Sequence, residues 1–281
     1  MKTGISFTPE DIKQLEPAEK IGLLATVNTE GKPHITLITS MQPVSEKGLA
    51  FGEFSRGVSK HHVRVNPGCA FLMMTPDRAL YRGTALWTGA RDEGPEYVMF
   101  NEKPMFRYNS YFGINRVHYL DSVKNSGKEK LPLLKIIQAV VLTGLSKKSR
   151  KKGSEPLPLN RLALSFFNRA SSLKFISYIN SEGFPVIIPL FQCRAVAPDR
   201  LIFSPAAYKD ELKLIPEGSE CAVFVMTLNM ESLLTRGVFD GFRRSGAVKT
   251  GSITIDWVYN SMPPVHGQIF PPVPLEPVRE F

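Results

Sequence analysis

A short stretch in the first quarter of the chain combines hydroxyl groups with positive charge. Its members are Ser55, Arg56, Ser59, Lys60, His61 and His62. Lysine and arginine supply charge to a phosphate, while hydroxyls and the backbone N–H groups at a helix start supply directed hydrogen-bond donors. The stretch therefore predicts a phosphate-binding site, although a basic, hydroxyl-rich turn is also typical of a solvated surface.

The elements around this cluster occur twice. The sequence "NTEGKP" at Asn28 to Pro33 is nearly repeated as "NSEGFP" at Asn180 to Pro185, 152 positions later. Without a gap, this shift aligns Leu24 to Thr75 with Ile176 to Thr227, and twelve of the 52 aligned pairs are identical. The chain is therefore predicted to contain an internal duplication.

Each copy predicts the same series of short strands. The runs before and after the repeated turn, "GLLATVN" and "PHITLI" in the first copy, predict a hairpin with Gly31 or Gly183 in its turn. A third strand, a polar helical stretch and an unbroken apolar strand follow. Arg82-Gly83 and Arg236-Gly237 then match after a further shift of two. Short strands joined by tight turns, with one helix between the third and the fourth, are typical of a small β-barrel.

The basic cluster is not kept in the second copy. Alanine, glutamate and leucine stand at the positions aligned with Ser55, Ser59 and Lys60. These replacements are Ala207, Glu211 and Leu212. The first copy is therefore predicted to be functional and the second to be structural.

Composition narrows the classes of function. The net charge is +9, but five of these charges lie in Lys147 to Lys152, so a basic linker explains the excess and we expect no nucleic-acid partner. Cys69, Cys193 and Cys221 show no CxxC spacing and predict neither disulfides nor a cysteine metal site. The N-terminus lacks the apolar core of a signal peptide, and no run of about eighteen uncharged apolar residues occurs. We expect a cytoplasmic protein without an integral membrane segment.

The segment between the copies has a different composition. Leu131 to Leu145 is apolar but contains Lys135 and is too short for a transmembrane helix. The sequence "PLNRLALSFFNRASS" predicts an amphipathic helix that leads into the second copy. Packing between the halves or at an oligomer interface explains this segment, and peripheral contact of residues 131–170 with a membrane surface is the alternative.

Three stretches, taken in order, resemble the FMN-binding split barrel of the pyridoxamine 5'-phosphate oxidase-like superfamily. They are "GLLATVNTEGKPHITLI", "LAFGEFSRGVSKHHVRVNPGCAFLMM" and "RGTALWTG". The resemblance covers about residues 20–90 closely and residues 173–242 in degenerate form. It implies a mainly β (α+β) fold of two tandem split β-barrels that form a pseudo-dimer within the chain, with connecting helices. The domains would be a cofactor-binding barrel at 1–130, a helical and basic connector at 131–172, and a second barrel with a proline-rich tail at 173–281.

The resemblance also implies an FMN cofactor beside the second and third strands. The second-strand residues that would face the flavin are Thr36, Leu37, Ile38 and Thr39. Glu53 and Ser55 stand where the family usually has a Ser/Thr pair, and Ser59 with Lys60 match the phosphate-binding pair. Glu53 departs from the pattern, because a carboxylate beside a phosphate would repel it, and we expect it to point to the ribityl chain or away. Trp87 is a candidate to flank the flavin ring, with a core position as the alternative.

The implied function is that of an FMN-dependent oxidoreductase acting on a small-molecule substrate or electron donor, and family members usually work as homodimers. Haem binding with His266 as axial ligand, binding of the deazaflavin F420, and a non-catalytic flavin-binding module are the alternatives. No catalytic residue is assigned, and His34 is a candidate proton donor. The aromatic segment Met99 to Asp121 predicts either a lid or substrate pocket, or ordinary loop packing. The pair His61-His62 lacks the carboxylate partners of a metal site, so no metal is expected.

Overall fold

The computed structural model describes residues 6–54, 57–103, 113–146, 157–245, 248–262 and 266–274. Within these ranges the chain forms two antiparallel sheets of eight strands each. It divides into two compact units, Met1–Leu133 with Ser177–Ile187, and Leu134–Ile176 with Ile188–Phe281. The predicted domain limits at residues 130 and 172, and the predicted pseudo-dimer, stay predictions.

The first sheet and its helices precede the connector. Their bounds are α1 Pro9–Leu15, β1 Ile21–Val27, β2 Pro33–Leu37, β3 Gln42–Pro43, β4 Gly48–Glu53, α2 Val58–Val65, β5 Gly68–Met74, β6 Ala79–Arg91, α3 Pro95–Glu102, β7 Arg116–Asn125 and β8 Glu129–Lys130.

Two helices and the second sheet follow. Their bounds are α4 Leu133–Leu145, α5 Arg161–Asn168, β9 Leu173–Ile179, β10 Pro185–Pro189, β11 Arg194–Ala197, β12 Arg200–Phe203, α6 Lys209–Leu212, β13 Glu220–Met226, β14 Ser232–Ser245, β15 Val248–Asn260 and β16 Gly267–Phe270.

The two sheets have the same strand order. The first runs β2-β1-β5-β6-β7-β4-β3 with β8 paired to β6, and the second runs β10-β9-β13-β14-β15-β12-β11 with β16 paired to β15. Strands β9, β10 and β13 each begin 152 residues after β1, β2 and β5. The predicted mainly β fold with two like halves is confirmed, and neither sheet is closed into a full barrel among the described residues.

The repeated turn has the same geometry in both units. The Asn28 side-chain oxygen accepts hydrogen bonds from the backbone N–H groups of Glu30 and Lys32, at 3.0 and 2.8 Å. The Asn180 oxygen does the same for the corresponding N–H groups two and four residues later, at 3.0 Å each. Gly31 and Gly183 close the two turns with φ of 76° and 81°, a region that glycine adopts without steric cost. Local turn chemistry therefore sets both hairpins.

The strand register corrects one detail of the predicted repeat. Met74 pairs with Leu80 in the first sheet, and Met226 pairs with Ser232 in the second, so the shift of 152 continues through β6 and β14. Arg236 is then level with Thr84 rather than with Arg82. The two Arg-Gly pairs are therefore not structurally equivalent, because a match of two residues weighs less than a continuous ladder of paired strands.

The cysteines and the connector helices behave largely as their composition predicts. The three cysteines are free and buried, and burial raises the pKa of the Cys69 and Cys193 thiols to about 12. Helix α5 buries Phe166 and Phe167, as expected for an amphipathic helix. Among the described residues, no helix combines the length and apolar character needed to cross a membrane.

Candidate functional site

Helix α2 begins beside the end of β4, where the sequence predicts a phosphate site. Its N-cap residue, Gly57, is extended, with φ of −147° and ψ of 152°, and gives the helix no side-chain cap. The Lys60 Nζ lies 3.3 Å from the point where a Cβ on Gly57 would sit, so a glycine leaves room for the lysine head. Ser55 and Arg56 lie outside the described residues.

The two residues that match the phosphate-binding pair are both buried. Ser59 has no exposed surface, and its Oγ has no hydrogen-bond partner within the described parts of the chain. Burial lowers the pKa of Lys60 from its ordinary value of 10.5, and the negative charge of Glu53 opposes this effect. A buried hydroxyl without a partner costs free energy, so it is the kind of group that a ligand satisfies.

A second polar group, which the sequence analysis does not single out, lies beside this pair. His118 on β7 is fully buried, and its Nε2 lies 2.8 Å from Oε2 of Glu53. The Trp87 Nε1–H donates to His118 Nδ1 at 3.1 Å. The His118 ring stacks on Phe51 with ring centres 4.9 Å apart and planes 2° apart. Arg116 Nε lies 3.9 Å from the same Glu53 oxygen.

These contacts set the protonation of His118. An indole N–H can only donate, so Nδ1 must accept, and Nε2 carries the proton that is donated to Glu53. Burial lowers the pKa of His118; the hydrogen bond and charge of Glu53 oppose that effect, while the charges of Lys60 and Arg64 add to it. The imidazole is therefore neutral and fixes the orientation of the Glu53 carboxylate. Trp87, Glu53 and His118 are called the triad below.

The second sheet keeps the same strand pairing but has other residues at the positions of the triad. His118 pairs across the strands with Phe51, and Gly251 pairs in the same way with Phe203. Phe239 stands at the position of Trp87, since Phe239 pairs with Ile253 as Trp87 pairs with Leu120. The 152-residue shift places Pro205 at the position of Glu53.

Aromatic rings fill the space of the imidazole in that sheet. A Cβ on Gly251 would lie 2.8 to 2.9 Å from ring atoms of Phe203, Phe239 and Phe242. These three rings form a cluster with centroids 5.1 to 6.0 Å apart. The same strand order is thus built on an apolar core, and the fold does not depend on the polar triad.

The predicted second-strand residues have different environments. Thr36 is on β2, and its Oγ1 is a second buried hydroxyl without a hydrogen-bond partner in the described ranges. Leu37 ends the strand, and Thr39 is in the turn that follows; both are partly buried. Ile38 packs its side chain into the hydrophobic core and donates its backbone N–H to the Gly22 carbonyl at 2.7 Å. Thr36 is therefore the member of this set that leaves an unsatisfied polar atom.

The adjacent histidines of α2 point in different directions. His62 Nδ1 lies 3.0 Å from Thr26 Oγ1, and its ring meets the ring of His34 edge-on at 5.2 Å. His61 is exposed. Among the described residues, no group of three or more His, Cys, Asp or Glu side chains could hold a metal ion.

Several polar side chains of the second unit contact residues of that same unit. The Arg236 guanidinium stacks 3.7 Å from the centre of the Trp257 ring, and Gln192 donates to the Ser204 carbonyl at 2.8 Å. In the aromatic segment, Phe100 is in the core, while residues 104–112 lie outside the described residues. His266 precedes β16 and is partly buried.

Glu53 and Trp87 were candidate site residues, but His118 was missed as the residue that joins them, because the three come together only through the sheet. Glu53 and His118 are 65 positions apart and meet because β4 pairs with β7. No local sequence motif indicates that pairing. The run "VHYL" at residues 117–120 is typical of a strand, and His118 and Leu120, two residues apart, lie on one buried face of it. This local pattern does not indicate which strand pairs with β7.

Comparison with known proteins gives similarity to solved structures only. No protein-family model matches the chain, and no curated protein matches it. An FMN-binding protein from Syntrophomonas wolfei subsp. wolfei is 13% identical, with a TM-score of 0.34, over 41% of this chain and 80% of that chain. An F420 reductase is 18% identical, with a TM-score of 0.34, over 42% and 98%. HutZ, the haem storage protein from Vibrio cholerae, is 13% identical, with a TM-score of 0.32, over 44% and 96%.

Proposed function

We propose that the first repeat binds FMN, with the cofactor phosphate at the start of α2, and that the protein is an oxidoreductase acting on a small molecule. Ser59 and Lys60 would hold the phosphate. The proposal includes an internal duplication in which the first copy kept the site. The sequence resemblance to flavin-binding split barrels suggests FMN, and the arrangement of residues around α2 supports a phosphorylated ligand.

The observation that carries the proposal is that the polar groups buried around the start of α2 have no buried polar counterparts at the equivalent positions of the second unit. The first unit buries Ser59, Lys60, Glu53 and His118 around the end of β4 and the start of α2. In the second unit, the positions of Glu53, Lys60 and His118 hold proline, leucine and glycine, and Ser59 is replaced by an acidic residue. Both units keep the same strand order, so folding alone does not explain the polar set.

The chemistry of these donors fits a phosphate group. A serine hydroxyl, an ammonium group and the uncapped N–H groups of a helix start are the donors that phosphates use in proteins. Glu53 is the exception, because its negative charge would repel a phosphate. The hydrogen bond from His118 holds its carboxylate in one orientation, in which it can accept hydrogen bonds from ligand hydroxyl groups. Thr36 adds a hydroxyl on the neighbouring strand.

FMN would supply hydride or electron transfer when bound. The residues of this chain would bind the phosphate, orient the ring and limit its contact with water. Burial of Ser59 and Lys60 strengthens their interaction with a charged ligand, because water screens it less there. Both ring nitrogens of His118 are engaged, by Trp87 and by Glu53, so His118 would act by positioning Glu53.

The test is to identify the ligand that the protein carries. The full chain is purified, its visible spectrum recorded, and the ligand released by heat and weighed by mass spectrometry; protein that is purified empty is titrated with FMN. FMN in the released fraction, or saturable binding of added FMN, is expected. Released F420 or haem would mean that the protein binds that cofactor and not FMN. Binding of none of FMN, F420 and haem would contradict the proposal.

A further inference from the structure

Helix α4 has two apolar faces, and the described residues of the chain cover one of them. Ile136, Ala139 and Thr143 are buried and lie on one side of the helix. On the opposite side, Leu134, Ile137, Val141 and Leu145 are 85, 60, 56 and 67% exposed. Their spacing of three and four residues makes one continuous stripe. Single exposed apolar residues are normal on protein surfaces, whereas four large aliphatic side chains form a contiguous apolar row here.

The orientation of this stripe is fixed by contacts on the buried side. The Thr143 hydroxyl donates to the Ala139 carbonyl at 2.7 Å and accepts the backbone N–H of Ser204 at 2.8 Å. Thr143 is fully buried, so the helix is held against its unit by an apolar contact and by a hydrogen bond. The outward stripe is therefore a stable feature of the surface.

The charge of the sequence around α4 indicates what covers the stripe. From Leu131 to Ser154 the chain has no acidic residue and six basic ones. These are Lys135, Lys147, Lys148, Arg150, Lys151 and Lys152, of which the last five lie outside the described residues. A second copy of the chain carries the same positive charge in this part of its sequence and therefore offers no complementary charge. An anionic surface matches both the charge and the apolar stripe.

The length of α4 decides how it would meet a lipid bilayer. The helix has thirteen residues, whereas crossing the hydrocarbon core takes about twenty. An amphipathic helix with basic residues nearby instead lies in the plane of the interface, with its apolar side chains among the acyl chains. Basic residues beside it add attraction to anionic headgroups.

We propose that the exposed face of α4 docks on an anionic lipid membrane surface. Leu134, Ile137, Val141 and Leu145 enter the interface, and Lys135 pairs with lipid headgroups. The proposal is independent of the cofactor site and does not require the function proposed above. It gives the protein a peripheral location at a membrane that carries negatively charged lipids.

The experiment is co-sedimentation of the purified full chain with vesicles. Vesicles of phosphatidylcholine containing about 30% phosphatidylserine should bind the protein, pure phosphatidylcholine vesicles should bind it at least about tenfold less, and raising the salt concentration should release it. The double variant Leu134→Ser, Ile137→Ser should lower the partition coefficient by about tenfold or more. The control Leu214→Ser, Leu228→Ser removes two leucines elsewhere that are 67 and 72% exposed, and this variant should bind normally.

Three outcomes would overturn the proposal. Equal sedimentation with both vesicle types would remove the anionic requirement, and equal binding by the α4 variant and the control would remove the stripe. Self-association on gel filtration that the α4 variant abolishes, without vesicle binding, would assign the stripe to a second copy. Thermal unfolding and FMN retention of each variant, which should match the unchanged protein, separate a folding defect or a failed cofactor proposal from the membrane result.

Discussion

At the scale of single residues, the triad connects burial to protonation. Glu53 alone, next to Lys60 and a predicted phosphate, would be a poor choice for an anion site. The neutral His118 donates to its carboxylate, and Trp87 holds the histidine from the other side. The second unit builds the same part of its sheet from Phe203, Phe239 and Phe242. Because the second unit forms the same strand pairing without these hydrogen-bonded polar residues, the ligand site beside them best explains the triad.

Protonation of His118 should make the folded state less stable in acid. Its pKa is lowered from 6.5 in the folded state, so the stabilisation is present above pH 6.5 and is lost as the pH falls below it, because the unfolded chain binds the proton more readily. His118→Gln can keep both hydrogen bonds but does not titrate. We expect its free energy of unfolding to vary less with pH below 6.5 than that of the unchanged protein.

The exposed His61 provides the matched control for that measurement. His61→Gln removes a histidine from the same region without removing a buried imidazole. Denaturant unfolding at several pH values should show the flatter profile in His118→Gln alone. Equal slopes in all three proteins would mean that burial of His118 does not govern the acid response.

The Ser59 hydroxyl should strengthen FMN binding without stabilising the ligand-free protein. Its buried Oγ has no partner in the described residues, so Ser59→Ala should leave the free energy of unfolding of the ligand-free protein unchanged or raise it by up to about 1 kcal/mol. The same change should weaken FMN binding roughly fivefold, because it removes a phosphate donor. Denaturant unfolding and FMN titration measure the two effects.

Ser172 offers a control with the same burial and the same unsatisfied hydroxyl in the second unit. Ser172→Ala should resemble Ser59→Ala in stability and the unchanged protein in FMN affinity. A loss of FMN affinity as large as that of Ser59→Ala would show that Ser59 has no special place in the site.

At the scale of elements, the repeated turn acts as a local folding unit. Gly31 and Gly183 have positive φ, and a Cβ on either would meet no atom within 4 Å. Gly31→Ala and Gly183→Ala should therefore cost only backbone strain, about 1 kcal/mol each. At Gly83, in contrast, a Cβ would overlap the Lys124 carbonyl oxygen, and Gly83→Ala should cost about 3 kcal/mol. Denaturant unfolding of the three variants should give this ranking. A smaller loss in free energy of unfolding for Gly83→Ala than for the two turn variants would contradict it.

The sequence predicts these elements better than it predicts their neighbours. Turn residues and apolar runs are local signals, and the hairpin around Gly31, helix α2 and the buried strand β5 form where the pattern indicates. The pairing of β4 with β7 joins Glu53 to His118 across 65 positions, which local patterns do not encode. For the same reason the two Arg-Gly pairs, which match by composition, fall at different places in the register.

At the scale of the whole molecule, the chain contains two sheets of one strand order and unequal chemistry. The repeat predicted the shared order, because each copy contributes the same series of strands and turns. The alignment also places the Ser59 and Lys60 pair in the first copy alone, and that this copy is the functional one stays a prediction. The apolar stripe on α4 could not be predicted, because the residue pattern of an apolar helix does not say which of its two faces its own unit covers.

If the first copy alone holds a phosphorylated flavin through α2, the number of FMN molecules bound per chain distinguishes this copy from the second. We expect titration to give one FMN per chain. Lys60→Ala should lower the affinity at least about tenfold because a charge-assisted contact is lost, and Lys209→Ala, at the corresponding helix of the second copy, should bind FMN with normal affinity. Two FMN molecules per chain, or equal losses in both variants, would contradict this expectation.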